Sequence, residues 1–271
     1  MMKLMLVASD VETAKEAQDA GVDRIFLDLE YINKIERQMG RNTLISTNTI
    51  ENVADFRRVI DKSKLLVRVN PINSNSKAEI DRVIADGADI IMLPMALDAG
   101  DVKTFVDYVG GRAETIPMIE TAPALARIDE ILEVGGFNEL FIGLNDLHIS
   151  MNLTFMFELL SGGIVEYLAE KIKSNSVNFG FGGIAKIGEG ILPAERILAE
   201  HYRLGSQSVI LSRTFRNERD SKGPKVDFAA EVAKVREREC EYLKWSPEQF
   251  EENRLEVKKC VKKIVDKISQ Q

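Results

Sequence analysis

Cysteine is nearly absent from this chain: only Cys240 and Cys260 occur in 271 residues. That excludes a disulfide framework and a cysteine-based metal motif, and it fits a reducing cytosol. No apolar run is long enough to cross a bilayer, so a membrane role is not expected. Met1 to Ala8 carries one lysine and a five-residue apolar run, Leu4 to Ala8, shorter than a secretory signal needs. An excess of positive charge is lacking too. The formal net charge is -7, whereas duplex binding relies on clustered Lys and Arg, so nucleic acid is not an expected partner. Finally, no Gly-x-Gly-x-x-Gly opens the first helix, which removes the main support for a dinucleotide fold. The expectation is a soluble, cytoplasmic protein.

What is present is rhythm. With 45% hydrophobic and 29% charged residues, the chain can bury one large core. Eight short apolar runs recur: Lys3–Ala8, Arg24–Leu29, Lys64–Asn70, Asp89–Pro94, Thr115–Glu120, Glu139–Leu144, Asn178–Ile184 and Ser208–Phe215. Most are near-continuous Val, Ile, Leu, Met and Phe, as expected for strands covered on both faces. Helix-like segments separate them at 11–21, 49–62, 76–86, 98–109, 122–134, 154–173 and 193–204. Asn48, Ser74 and Asp98 are candidate N-caps, and Gly21, Gly87 and Gly205 candidate helix stops. Eight βα units predict an α/β fold, a (β/α)8 TIM barrel over residues 1–216.

The segment 217–271 departs from this rhythm and predicts a C-terminal helical extension. Asn217 to Lys225, with Gly223 and Pro224, is expected to be an exposed turn, followed by a helix over 226–244. A second helix starts at Ser246-Pro247-Glu248-Gln249, which resembles a capping box. Val257, Val261, Ile264, Val265 and Ile268 lie on one face of it. That face either packs on its own barrel or covers a neighbouring subunit, and the second is slightly favoured.

Three strands deliver charge at their ends: Arg68, Glu120 and Asp146. A parallel barrel places catalytic groups in this way. Glu120 and Asp146 follow the fifth and sixth strands, so both carboxylates can meet one ion. Hard oxygen donors suit Mg²⁺ or Mn²⁺, and Mg²⁺ takes one or two carboxylates with the rest from water and substrate. The alternative is that each acid caps the helix that follows it. Arg68 can grip a substrate carboxylate with two hydrogen bonds or pair with Asp28 or Glu30; both roles can hold at once.

Asp28-Leu29-Glu30, Leu66 to Pro71, Gly87 to Pro94, Ile119-Glu120-Thr121 and Ile142 to Leu147 together resemble the serial motifs of the HpcH/HpaI aldolase and citrate lyase β-subunit family. The resemblance runs in order over roughly residues 20–215. It implies a metal-dependent barrel that makes or breaks a C–C bond through a pyruvate- or acetyl-type enolate. It assigns the metal to Glu120 and Asp146 and the oxo-acid to Arg68. It also implies a homo-oligomer, a trimer or hexamer, with exchanged C-terminal helices. Pyruvate aldolases of this type carry His after the second acid, and acyl-CoA lyases carry Asp; here Tyr31 stands there. The base is therefore open among Glu30, Asp28 and metal-bound water.

Gly182 and Gly183 at the end of the seventh strand, with Arg213 after the eighth, can bind a phosphorylated or sugar-derived group, or the glycines serve close packing. Asn145 beside Asp146 is a further substrate-binding candidate. His148 is a proton-donor candidate or a loop cap, and His201 is expected to be structural. Lys186, the only lysine close to a mouth motif, is the candidate for a rival Schiff-base route. The leading expectation is an oxo-acid aldolase. The alternatives are a citrate-lyase-like acyl-CoA lyase and a ligand-binding barrel without turnover.

Overall fold

The computed structural model describes residues 1–34, 48–215 and 226–270. Eight strands appear where the apolar runs place them: β1 Lys3–Val7, β2 Arg24–Asp28, β3 Lys64–Arg68, β4 Ile90–Leu93, β5 Glu114–Ile119, β6 Glu139–Ile142, β7 Asn178–Ile184 and β8 Ser208–Leu211. They close in chain order into one parallel barrel, with β8 returning to β1. The fold is a TIM barrel, as expected.

Six helices come first among the described residues: α1 Val11–Asp19, α2 Asn52–Val59, α3 Ser76–Ala85, α4 Ala99–Val109, α5 Ala122–Ala126 and α6 Ile128–Val134. Then follow α7 Leu144–Ser150, α8 Glu158–Ser161, α9 Ile164–Ser174, α10 Ala194–Leu204, α11 Phe228–Tyr242 and α12 Pro247–Ile268. The helix expected at 154–173 is thus two helices. Gly163, at φ +86°, stands between them in a left-handed conformation that a helix cannot continue through.

Strand alternation sorts the core into two compartments. Odd positions of β2 and β3, such as Ile25, Leu27, Leu65 and Val67, join the shell between strands and helices. Met5, Phe26, Leu66, Ile90, Met92, Ile116, Met118 and Phe141 fill the barrel interior. The inward column of β2 therefore runs Arg24, Phe26, Asp28: charge at the floor, an aromatic ring in the middle, charge at the mouth.

Asp98 caps α4, accepting from the amides of Gly100 and Asp101 at 2.8 and 3.1 Å. Asn48 and Ser74 do not cap. Asn48 donates instead to the Ala8 carbonyl, and α3 begins at Ser76, whose hydroxyl accepts from the Asn73 amide. Gly21, Gly87 and Gly205 all have positive φ after helix ends, as expected.

The expected turn at 217–225 lies outside the described residues. Beyond it, the capping box at Ser246 and Gln249 is formed. Val257 and Val261 are buried against this chain's own core, Ile264 and Val265 are half-buried against it, and Ile268 stays exposed. Cys240 and Cys260 are free. Among the described residues no helix is long and apolar enough to cross a membrane.

Candidate active site at the barrel mouth

Register brings the first pair together. Asp28 on β2 stands opposite Arg68 on β3, and their side chains form a two-pronged bond. Arg68 Nε donates to Asp28 Oδ1 at 2.9 Å and Nη2 to Oδ2 at 2.8 Å. Nη2 is also 3.3 Å from Glu30 Oε2. The guanidinium lies over the Phe26 ring at 5.4 Å. Its remaining nitrogen, Nη1, meets the Met118 sulfur at 3.9 Å, and the side chain keeps 15% of its surface exposed. The ion-pair role expected for Arg68 is therefore real, and one edge is left for something else.

A lysine that sequence reasoning passed over completes this group. Lys34 Nζ is 2.5 Å from Asp28 Oδ2 and 3.4 Å from Glu30 Oε2, with only 3% of its side chain exposed. Lys186 is thus not the only lysine near a mouth motif, and it is the less engaged one: its ammonium pairs with Glu189 at 3.0 Å. The available signal was spacing, because Lys34 follows Glu30 by four residues.

Asn70 ties the loops after β2 and β3. Its side-chain oxygen accepts from the amides of Tyr31 and Ile32, and its amide group donates to buried Glu79. Tyr31 stays 67% exposed, so the residue that follows Glu30 is not part of the charged cluster.

Glu120 follows β5 and is buried. Its Oε1 accepts from the Met95 amide at 2.8 Å, an amide aimed by a left-handed turn at φ +54°. Gly143 makes room for it: a Cβ there would sit 2.7 Å from Glu120 Cβ and closer still to Oε2. Glu120 does not cap α5; Thr121 does, accepting from the Ala124 amide. Nor is Asp146 a cap, since it lies in the first turn of α7, whose N-cap position is Gly143. The capping alternative fails for both acids.

The electrostatics follow from this crowding. Burial, then the neighbouring charges of Asp146 and Glu30, push the Glu120 carboxyl up to about 8, against the pull of Arg68 and the Met95 amide. Asp28 goes the other way. Burial raises it, but Arg68 and Lys34 outweigh that and hold it well below the usual carboxylate range. Among the described residues, Asp28, Glu30, Glu120 and Asp146 thus gather at the mouth with Arg68 and Lys34.

The donor set fits a divalent ion, because its carboxylates are hard oxygen donors. Among the described residues no group of three or more His, Cys, Asp or Glu side chains is placed to hold a metal. Two carboxylates, Glu120 and Asp146, are what remains, which is the complement Mg²⁺ or Mn²⁺ takes when water and substrate oxygens supply the rest.

The other expected site residues lie on β7, on α7 and on the turn after β8. Gly182, at φ +45°, lets β7 approach Leu144, and Gly183 lies under the Ile210 carbonyl; a Cβ would come within 2.7 and 3.1 Å of them. Asn145 is half-buried in α7 and Arg213 is exposed on the turn after β8. His148 is buried, with Nδ1 3.2 Å from the Leu144 carbonyl one turn back. His201 is fully buried and stacked 3.6 Å from Phe181, as befits a structural residue. A cavity of about 290 Å³ lies against the segments after β2 and β3, lined by Tyr31, Ile32, Asn70, Asn73 and Glu79 among others, with none of Asp28, Glu30, Glu120 or Asp146 among its described lining residues.

The sequence matches the HpcH/HpaI aldolase/citrate lyase family over residues 2–158, a span that includes Asp28, Glu30, Arg68, Glu120 and Asp146 and stops before β7 and β8. Searching proteins of curated function gave no significant match. Solved structures share the fold. An HpcH/HpaI aldolase/citrate lyase family protein from Burkholderia cenocepacia J2315 aligns with TM-score 0.62 at 15% identity, over 89% of this chain and 93% of that one. Citrate synthase SbnG gives 0.61 at 19% identity, over 78% and 85%. An HpcH/HpaI aldolase from Desulfitobacterium hafniense DCB-2 gives 0.60 at 15% identity, over 91% and 93%.

Proposed function

This chain belongs to the HpcH/HpaI aldolase/citrate lyase family, and on that premise we propose that it is a divalent-metal-dependent carbon–carbon lyase working through the enolate of pyruvate or a related 2-oxo acid. The observation that carries the reading is the Glu120–Asp146 pair, two acids at the mouth whose mutual repulsion helps raise Glu120 to about 8.

Glu120 and Asp146 would hold Mg²⁺ or Mn²⁺. Bound there, the ion would supply Lewis acidity to a developing enolate oxygen. Arg68 grips the acid group of the substrate through Nη1, while its other donors are spent on Asp28. Asp28, bonded to two cations, is a weak acceptor for a substrate proton. Glu30, 3.3 and 3.4 Å from the same cations, is the other carboxylate proposed for that task. Asn145, Gly182, Gly183 and Arg213 remain proposed contacts for the distal part of the substrate. A cytoplasmic homo-oligomer, trimeric or hexameric, completes the proposal.

Titration calorimetry with Mn²⁺ tests the core of it. Glu120→Gln and Asp146→Asn should each fold and each bind Mn²⁺ at least tenfold more weakly, because each removes a formal charge from a site with few protein donors. Unchanged affinity in both variants would end the metal reading. A panel of aldehydes with pyruvate, run with Mg²⁺, with Mn²⁺ and with a chelator, tests turnover.

A further inference from the structure

We propose that the groove where α10, α11 and α12 meet binds a small planar anion, a flat aromatic or unsaturated body carrying one carboxylate or phosphate. Arg196 and Arg238 take the charge, and Trp245 and Tyr242 take the flat body. The groove encloses about 400 Å³, and its described lining residues include neither the mouth acids nor Arg68 or Lys34.

Arg196 is the residue that asks for a ligand. Nearby arginines are neutralised: Arg203 pairs with Glu166 and Glu200, Arg236 with Glu239 and Asp23, and Arg254 with Glu251. Arg196 has no carboxylate partner among the described residues. Its Nη1 donates instead to the side-chain oxygen of Asn253 at 3.2 Å. Asn253 is only 1% exposed, and its amide nitrogen donates to the Arg196 carbonyl at 3.1 Å and to Glu200 Oε1 at 2.9 Å. With both hydrogens spent there, the amide must turn its oxygen to Arg196. A buried neutral group thus aims the guanidinium without cancelling its charge.

The other charges of the groove are compatible with an anion. Arg238 is paired with Glu241 at 2.7 Å, but both side chains are about half exposed, at 42% and 52%, so that bond is weak and exchangeable. Glu195, the acid in the lining, is engaged elsewhere: its Oε1 accepts from the Gly188 amide at 2.8 Å.

The aromatic wall is braced. Tyr242 is buried and donates its hydroxyl hydrogen to the Glu195 carbonyl at 2.9 Å. Trp245 meets it edge to face at 4.7 Å, with Phe250 at 5.3 Å from the indole. The indole N–H has no acceptor among the described residues, and the ring is half-buried. Fixed rings beside an un-neutralised guanidinium favour a ligand that offers both a π face and an acid group, because each part gains from a different contact.

Trp245 is the only tryptophan in the chain, so its emission reports on this groove. The metal-free full chain is titrated with benzoate, phenyl phosphate, inorganic phosphate and benzyl alcohol, and calorimetry repeats each titration. Expected is a saturable change with benzoate or phenyl phosphate, at least tenfold tighter than with inorganic phosphate or benzyl alcohol. Arg196→Gln and Arg238→Gln should each weaken it tenfold or more, with circular dichroism and Mn²⁺ affinity as in the wild type. No saturable binding of either aromatic anion up to about 10 mM, well past a millimolar dissociation constant, overturns the proposal. So does inorganic phosphate binding as tightly as phenyl phosphate, or full affinity in both arginine variants. If Arg196→Gln does not fold, Arg238→Gln, whose arginine pairs only with the exposed Glu241, decides the matter alone.

Discussion

Two arginine–carboxylate forks stand at opposite ends of one barrel, and they do different things. At the floor, Arg24 on β2 reaches across to Glu139 on β6, Nη1 to Oε1 at 3.2 Å and Nη2 to Oε2 at 2.9 Å. Both side chains are 3% exposed, and Ser208 donates a further bond to Glu139. At the mouth, Arg68 grips Asp28 with the same fork, but between adjacent strands and with 15% of its surface open. The floor pair balances one charge with one charge. Among the described residues, the mouth pair sits with the acids Glu30 and Glu120 and the cation Lys34, and Glu120 is driven toward protonation. Burying an ion pair gains little stability over packed apolar side chains, yet removing one partner is costly. A closed fork of this kind specifies structure, whereas the open edge at the mouth is the one the proposed oxo-acid would use.

The largest effect should come from breaking the floor. Arg24→Met strands the Glu139 carboxylate in an apolar interior, which costs about 3–5 kcal/mol and lowers Tm by roughly 10 °C. Arg24→Met with Glu139→Leu should recover most of the loss, since no buried charge then remains. Urea unfolding of the single and double variants checks both statements. Mn²⁺ binding by the folded protein should not change. A single variant as stable as the wild type would make the floor and the mouth equivalent after all.

The second test separates the two ends by pH. Glu120 titrates near 4.5 when unfolded and at about 8 in the folded protein. Between those values the folded state binds the extra proton, so metal-free stability falls as pH rises from about 4.5 to 8 and levels off above. His201 acts in the opposite sense below its ordinary value of 6.5, because burial drops it to about 3 and the unfolded chain takes its proton first. Taking Glu120→Gln minus wild type cancels the histidine. That difference should grow with pH across the window to on the order of 5 kcal/mol. Repeated in the Arg24→Met with Glu139→Leu background, the Glu120 difference should be the same. A flat Glu120 difference would mean that the mouth is not acid-crowded.

Much of this was legible in the residues. The eight apolar runs, spaced by amphipathic segments, led directly to the closed barrel, since parallel strands covered on both faces leave few other architectures. Arg68, Glu120 and Asp146 were legible because a strand end is a local feature. The Arg24–Glu139 fork was not, because β2 and β6 are 115 residues apart and meet only across the closed interior. Lys34 was missed because it follows its strand by a turn, where spacing alone does not say which way a side chain points. Gly143 stood inside the Ile142 to Leu147 motif without a role of its own, and Gly182 was a candidate either for binding a phosphorylated group or for close packing. Only the positions of Glu120 and Leu144 show what each makes room for.

The smallest and most specific test changes the shape of the mouth fork without changing its charge. Arg68→Lys retains one positive charge but has a single nitrogen, so it cannot bond Asp28 in two places and also face a substrate. Lys34 remains in contact with both Asp28 and Glu30, so neither carboxylate is stranded and Tm should fall by only a few degrees. Oxo-acid affinity should drop at least tenfold, about 1.4 kcal/mol, with Mn²⁺ affinity nearly intact because Glu120 and Asp146 are untouched. Calorimetry on pyruvate and oxalate beside thermal melting gives both readings from one preparation. If Arg68→Lys instead melts far below the wild type and binds oxalate equally well, then Arg68 serves Asp28 alone. The mouth fork would then be as purely structural as the one at the floor.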